Sequence, residues 1–242
     1  VNALTLLLPE KGNVIGHLEK AAVHSGETLA DVGRRYDIGF MQMQEANPTV
    51  IANGLLRSGI KVIIPSQFIL PDASRNGIVI NLAEQRMYFY SNDKKTVVTE
   101  PVGIGRKGQW KTPLGITKII KKQTDPVWHP TANVRIEAAK NGTPIPWEFK
   151  AGPNNPLGKH VFRLGWSTYL IHGTNHPETV GGRVSAGCIR MLPEGIAKLY
   201  PLVEVGTKVT VVNQPYKIGW LDNKFYFESH KPFEQSKTQV KL

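Results

Sequence analysis

Apolar and polar positions along this chain fall into short runs with two different periods. From Ile78 onward, β-branched and aromatic residues gather in brief segments: Ile78-Val-Ile-Asn-Leu82, Arg86-Met-Tyr-Phe-Tyr90, Lys95-Thr-Val-Val-Thr99 and Val102-Gly-Ile-Gly105. Ala83-Glu-Gln85 and Ser91-Asn-Asp93 supply turns between them. His160-Val-Phe-Arg-Leu164, Thr168-Tyr-Leu-Ile171 and Thr207-Lys-Val-Thr-Val-Val212 continue the pattern. Strand-forming residues punctuated this often predict a mainly β sandwich or barrel with few helices. The clearest helix is Pro193 to Tyr200, with proline in its first turn and Ile196, Leu199 and Tyr200 on one face. Tyr216-Lys-Ile-Gly-Trp220 and Lys224-Phe-Tyr-Phe-Glu228 flank Leu221-Asp-Asn223, which predicts a C-terminal β-hairpin.

Upstream the period changes. Val23 opens a short strand, Ser25-Gly26 turns, and Leu29, Val32, Gly33 and Tyr36 follow at helical spacing, with Ser25 or Thr28 as the cap. Phe40 to Ala46 reads as a second short helix, stopped by Asn47-Pro48. Val62-Ile-Ile-Pro65 closes the unit with a strand. The expected organisation is a lead-in over 1–20, a small α+β (βααβ) module over 21–66 and a linker over 67–76 broken by Pro71. A β domain follows over 77–213, then a hairpin and polar tail over 214–242.

Composition narrows the classes. Hydrophobic residues make up 40% of the 242 residues and charged residues 20%, enough for real cores and against global disorder. No apolar run approaches the roughly 18 residues of a membrane span, so none is expected. The formal net charge of +11 biases the surface toward anionic partners. The lysines are scattered, and no recognition-helix, zinc-finger or RNP-like pattern accompanies them, so no nucleic-acid partner is expected. Gly103-Ile-Gly-Arg-Lys-Gly108 lacks the glycine spacing and following helix of a nucleotide loop. The chain starts at Val1 without a basic-then-apolar leader, as a mature exported protein would.

The single cysteine changes the picture most. Cys188 cannot form an intrachain disulfide or a cysteine-based zinc site. It sits in Val184-Ser-Ala-Gly-Cys-Ile-Arg-Met191, after a loop with Pro177, Gly181 and Gly182 and downstream of the strand end at His172. A thiol on a glycine-preceded turn with an imidazole upstream fits a cysteine nucleophile and its base. The competing reading is a small buried hydrophobe. Gly187 permits an unusual φ, and the amides of Gly187 and Cys188 are natural oxyanion donors. Arg190 reads as an anchor for a substrate carboxylate or for the loop, or as a salt-bridge partner. Ser185 reads as bonding within the loop. His176 and His129 are rivals for the base and read as cleft-side residues.

His172-Gly-Thr together with Ser185-Ala-Gly-Cys-Ile-Arg-Met191 resembles the signature of the L,D-transpeptidases, the YkuD-type enzymes of peptidoglycan. Thr112-Pro-Leu-Gly115 and Gly152-Pro-Asn-Asn-Pro-Leu-Gly158 resemble further elements of that family. The resemblance implies a YkuD-like β fold and Cys–His acyl transfer with no metal and no cofactor. It implies a tetrapeptide stem that loses terminal D-alanine to form a thioester. An amine then resolves the thioester, from a diaminopimelate side chain or the C-terminal lysine of an outer-membrane lipoprotein; water as acceptor would make the chain a hydrolase. It implies Cys188 as nucleophile, His172 as base oriented by the carbonyl of Gly173, and Gly187 at the oxyanion. Substrate contacts are expected from Arg190, Ser185, Tyr169, Trp128 and His176, a lid over the cleft from 132–150, and acylation of the cysteine by carbapenems. Residues 21–66 resemble a LysM module in Val23, Gly26, Glu27-Thr-Leu29, Ala46-Asn-Pro48 and Ile63-Ile-Pro65. That resemblance implies a glycan groove at Gly26, Glu27, Thr28, Asn53 and Gly54, or a module kept only as a packing partner. The combination is similar to the Gram-negative periplasmic branch, and so implies a periplasmic enzyme.

Overall fold

The computed structural model describes residues 4–231. The N-terminal part runs β1 (Leu4–Leu7), β2 (Val14–Gly16), β3 (Glu19–Ala22), α1 (Leu29–Arg35), α2 (Phe40–Ala46), β4 (Lys61–Ile64) and β5 (Gln67–Ile69). The next strands are β6 (Gly77–Asn81), β7 (Arg86–Tyr90), β8 (Thr96–Gly105) and β9 (Gly115–Thr124), followed by α3 (Ala132–Lys140). Then come β10 (His160–Leu164), β11 (Leu170–His172), β12 (Arg183–Ser185), β13 (Ile189–Met191) and α4 (Pro193–Leu199). The last strands are β14 (Lys208–Val212), β15 (Tyr216–Leu221) and β16 (Lys224–Ser229). Among the described residues no helix is long and apolar enough to cross a membrane.

Strand pairing closes a ring in the order β8, β13, β11, β10, β9, β14, β6, β7 and back to β8. β8 serves as its spine. Its first half pairs with β1 and β7, its second half with β13 and β12. The sequence reads β8 as two strands divided at Glu100-Pro101. The backbone instead runs straight through, because Pro101 lies opposite Arg86 at the end of the β7 pairing. The basic stretch around Lys118–Lys122 also proves to be strand. In β9 only Ile119 is buried, Lys118 and Lys121 are exposed and Lys122 lies over the Tyr200 ring, so it lacks the apolar signature of its neighbours.

The central strands β6 to β8 are buried on both faces, and the pleat sorts their side chains. Ile78, Ile80, Met87, Phe89 and Val98 join one core with Phe162, Ile171, Ile189, Met191, Ile196 and Leu199. Val79, Tyr88, Tyr90 and Val97 join a second core with Leu29, Val32, Ile38, Met43, Val62 and Ile64 of the α1–α2 region. The β3–α1–α2–β4 unit therefore forms a layer over the back of the sheet. Thr28 caps α1 in a capping box with Asp31, and the unit's strand lies at Glu19–Ala22, just ahead of Val23. A bidentate Arg34–Glu194 ion pair joins α1 to α4. Arg86, fully buried, donates from Nη2 to the Asp37 carbonyl and from Nη1 to Thr99 Oγ1. Burial of the facing Glu100 carboxyl pushes its pKa up to about 8.

The flanking segments carry structure as well. Residues 1–20 contribute β1 to the sheet, and β2 pairs with β5 inside the stretch 67–76. The β15–β16 hairpin lies against that pair: Glu228 accepts from the Ile69 amide at 2.8 Å, and Asn13 donates to the Ile218 carbonyl at 2.9 Å. The polar tail beyond Lys231 lies outside the described residues.

Candidate active site

The site is built on one parallel pair of strands. In the β11–β13 register Ile171 faces Ile189 and His172 faces Arg190. Side chains alternate across a strand, so Leu170, His172, Cys188 and Arg190 share one face while Ile171, Ile189 and Met191 fill the core behind. On β10, Val161 opposite His172 joins the front face and Phe162 the back. The apolar set behind fixes the register, because a one-residue slip would drive His172 and Arg190 into the core.

Cys188 enters β13 from a tight loop. Gly187 has φ +114°, a region L side chains avoid. The Gly187 amide donates to Ser185 Oγ at 3.1 Å, and Ser185 Oγ donates to the Cys188 carbonyl at 2.6 Å. Ser185 is buried and bonds within the loop, which it shapes. The Gly187 amide is likewise engaged there. Thr112 secures the loop from the other side, donating to the Gly187 carbonyl at 2.8 Å and accepting from the Gly105 amide at 3.0 Å. The Tyr169 ring lies against Gly187, where an added Cβ would stand 2.7 Å from Tyr169 Cε1. Gly187→Ala is therefore expected to add about 1–3 kcal/mol of local strain and lower kcat/KM roughly tenfold or more. A Tyr169→Ala/Gly187→Ala double variant removes the clash but not the φ strain, so steady-state kinetics should show only partial recovery.

His172 Nδ1 lies 2.5 Å from the Gly173 carbonyl. A carbonyl only accepts, so Nδ1 carries the proton and Nε2 holds the free lone pair of a base. Burial lowers the His172 pKa to about 4, helped by the Arg190 charge and opposed by the Gly173 carbonyl. The Cys188 thiol donates to the Thr168 carbonyl at 3.6 Å. Burial raises its pKa to about 11, against the Leu170 amide and the Arg190 charge, which favour thiolate. Both shifts favour a resting neutral thiol and a neutral imidazole. With His172 as the base, the acid limb of kcat/KM is expected near pH 4, not at the ordinary 6.5. The stability linked to His172 has the same sign. It is present above pH 6.5 and lost as pH falls through about 4, which melting curves across that range would register.

Arg190 donates to Thr179 Oγ1 at 2.8 Å, which ties β13 to the loop after His172. Trp128 and Cys188 both pack against the cluster of Leu157, Val161 and Leu170. His176 sits apart on the surface, paired with Glu178 at 3.1 Å, and His129 pairs with Glu148 at 3.2 Å. In the N-terminal unit the Leu56 amide donates to the Glu27 carbonyl at 2.9 Å, bringing the loops of residues 24–28 and 51–56 together. Gly26 and Gly54 there face open space. Glu27 is held by Arg35 at 3.0 Å and the Thr28 hydroxyl is spent on its cap, while Asn53 is exposed on the facing loop. Sequence reasoning passed over Thr168, Thr179 and the Thr112 hydroxyl. Only the Thr112-Pro motif offered a signal, because the others act through contacts distant in sequence. Among the described residues no group of three or more His, Cys, Asp or Glu stands close enough to hold a metal ion.

Residues 75–211 match the YkuD family, described as the L,D-transpeptidase catalytic domain. The probable L,D-transpeptidase ErfK/SrfK of Salmonella typhimurium is 39% identical over 236 residues, covering 96% of this chain and 76% of that protein. The probable L,D-transpeptidase YbiS of Escherichia coli is 38% identical over 243 residues, covering 98% of this chain and 78% of that one. Among solved structures, the NMR structure of the catalytic domain of the Enterococcus faecium L,D-transpeptidase aligns with TM-score 0.44 and 23% identity. The alignment covers 58% of this chain and 99% of that one.

Proposed function

The chain belongs to the YkuD family of L,D-transpeptidases, and from that premise we propose how its residues carry out acyl transfer on peptidoglycan stems. The observation that carries the reading is the shared face of β11 and β13, with Cys188, His172 and Arg190 together and His172 Nδ1 tied to the Gly173 carbonyl. As Cys188 Sγ attacks the carbonyl before the terminal D-residue, its proton moves to His172 Nε2. The developing oxyanion meets the Cys188 amide, and the imidazolium returns its proton to the leaving amine of D-alanine. A thioester remains. The acceptor amine attacks it, His172 takes the amine's proton, and the thiolate leaves and is reprotonated. Arg190 places a fixed positive charge beside the thiolate and draws the substrate carboxylate. Tyr169 and Trp128 line the approach with aromatic surface.

A periplasmic location is the compartment such a substrate requires in a Gram-negative cell, and the similarity to the Salmonella typhimurium and Escherichia coli relatives supports it. The module resembling LysM then holds glycan strands at the joined loops around Gly26 and Gly54, while its other face packs on the catalytic sheet. The acceptor is a primary amine, from diaminopimelate or a lipoprotein lysine, and the half-buried thiol is the group carbapenems acylate. Incubation with tetrapeptide-bearing muropeptides and an amine acceptor, followed by mass spectrometry, tests the reading. A thioester on Cys188 and an amine-linked product support it. Shortened stems without any amine adduct would instead make the chain a hydrolase.

A further inference from the structure

Residues 128–149 form a flap beside the site. Its root is closed by a two-bond bridge: the Trp128 amide donates to the Phe149 carbonyl at 2.9 Å, and the Phe149 amide to the Trp128 carbonyl at 2.8 Å. The two rings stack with centroids 5.3 Å apart, and Asn155 Nδ2 donates to the carbonyls of Pro126, Phe149 and Lys150. The root is therefore rigid, and its Trp128 packs on the same cluster of Leu157, Val161 and Leu170 that Cys188 packs on.

Beyond the root the flap lies on the surface. α3 buries none of its residues, and Ile136 and Trp147 are exposed. Arg135 stacks over Trp147 at 4.3 Å, a contact inside the flap. A side-chain contact reaches from α3 to the end of β8. Arg106 Nη2 lies 2.6 Å from Glu137 Oε2, and Arg106 Nη1 lies 3.1 Å from Oε1, a bidentate pair. Arg106 stands at the end of β8. Its amide donates to the Ser185 carbonyl at 3.0 Å, its Nε reaches the same carbonyl at 3.4 Å, and its guanidinium lies over Trp110.

We propose that Arg106 is a positioning residue that latches the flap to the nucleophile loop, so that entry of a bulky acyl donor requires the Arg106–Glu137 pair to open. The proposal rests on Cys188 being the reacting group. One guanidinium touches the carbonyl three residues before that cysteine and the carboxylate at the flap's tip. The nucleophile loop is thus bracketed by the flap at both ends: by Trp128 packing at the root, by the ion pair at the tip. Both partners are partly solvent-exposed, so the latch is weak and salt-sensitive, as a gate that opens each turnover needs to be.

The test labels Cys188 in the full chain with two reagents, iodoacetamide and a carbapenem, at low and high salt. Glu137→Gln frees the flap without touching Ser185. It should raise the carbapenem rate about two- to fivefold at low salt, the population shift such a pair supports. It should also abolish the wild-type acceleration by salt and leave the iodoacetamide rate nearly unchanged. In steady state the donor KM should move while the chemical step holds. Glu137→Asp, which keeps the charge and leaves Arg106 on the Ser185 carbonyl, should retain the salt-dependent, slow carbapenem rate. Wild-type carbapenem rates in Glu137→Gln at both salt concentrations, or a Glu137→Asp rate as fast and salt-insensitive as that of Glu137→Gln, would overturn the latch. The control separates the two claims: if carbapenem never acylates Cys188 while iodoacetamide does, it is the catalytic reading that fails.

Discussion

Cys188→Ala is expected to form no acyl-enzyme and no transpeptidation product, and His172→Ala to lower kcat by about 10²–10⁴-fold. The two variants should fail differently. Without the thiol no covalent route remains, and mass spectrometry should find unmodified protein with either a muropeptide or a carbapenem. Without the imidazole the thiol is still present, held neutral at neutral pH by burial, with its pKa at about 11. Its acylation should therefore be slow at pH 7 and climb tenfold per unit toward pH 11, as free thiolate replaces proton transfer to a base. The wild type should show no such slope, because His172 is neutral above about pH 4 and takes the proton during attack. An alanine variant at His172 with the wild-type rate and a flat profile would dismiss it as the base. Loss of fold is not expected from Cys188→Ala: the side chain is half-buried, and the core behind it is made by Ile171, Ile189 and Met191.

The largest stability effect is expected at Lys217. Its side chain is 3% exposed and paired with Glu84, whose side chain is 0% exposed. Lys217 also reaches Glu228 at 3.3 Å and donates to the Ile69 carbonyl. Glu84 in turn accepts from the Tyr88 hydroxyl and from Asn81 Nδ2. One ammonium thus joins the hairpin strand β15 to the β6–β7 turn and to β5. Lys217→Ala leaves Glu84 buried and without its cation, which costs about 3–5 kcal/mol. Lys217→Met/Glu84→Gln removes both charges and fills most of the volume, so it should recover a large part of that loss. Urea unfolding of the three proteins measures the difference. Equal stability of Lys217→Ala and wild type would show that the hairpin is not held by this pair.

Much of the site was legible because its residues lie in one continuous run. Gly187 announces a positive φ, the lone cysteine admits no structural bridge, and His172 ends an apolar strand that can only be core. The strand periods likewise gave the β character of residues 77–213, the helix at Pro193 and the C-terminal hairpin. These are local properties: the side-chain period, the steric freedom of glycine and the missing amide of proline act within a few residues.

What the sequence could not supply depends on registers between distant strands. Only the parallel pairing of β11 and β13 puts His172 opposite Arg190 and turns both toward Cys188. The Gly187 amide and Ser185 Oγ bond to each other, a loop geometry that spacing alone does not specify. Arg106 reads as one more basic residue until the fold sets Glu137 and the Ser185 carbonyl on either side of it. Burial also decided the chemistry of the pair, since desolvation holds the thiol and imidazole neutral, and desolvation belongs to the packed molecule, not to the chain. The sequence by itself determined which groups can react; the tertiary structure decided their protonation and their partners.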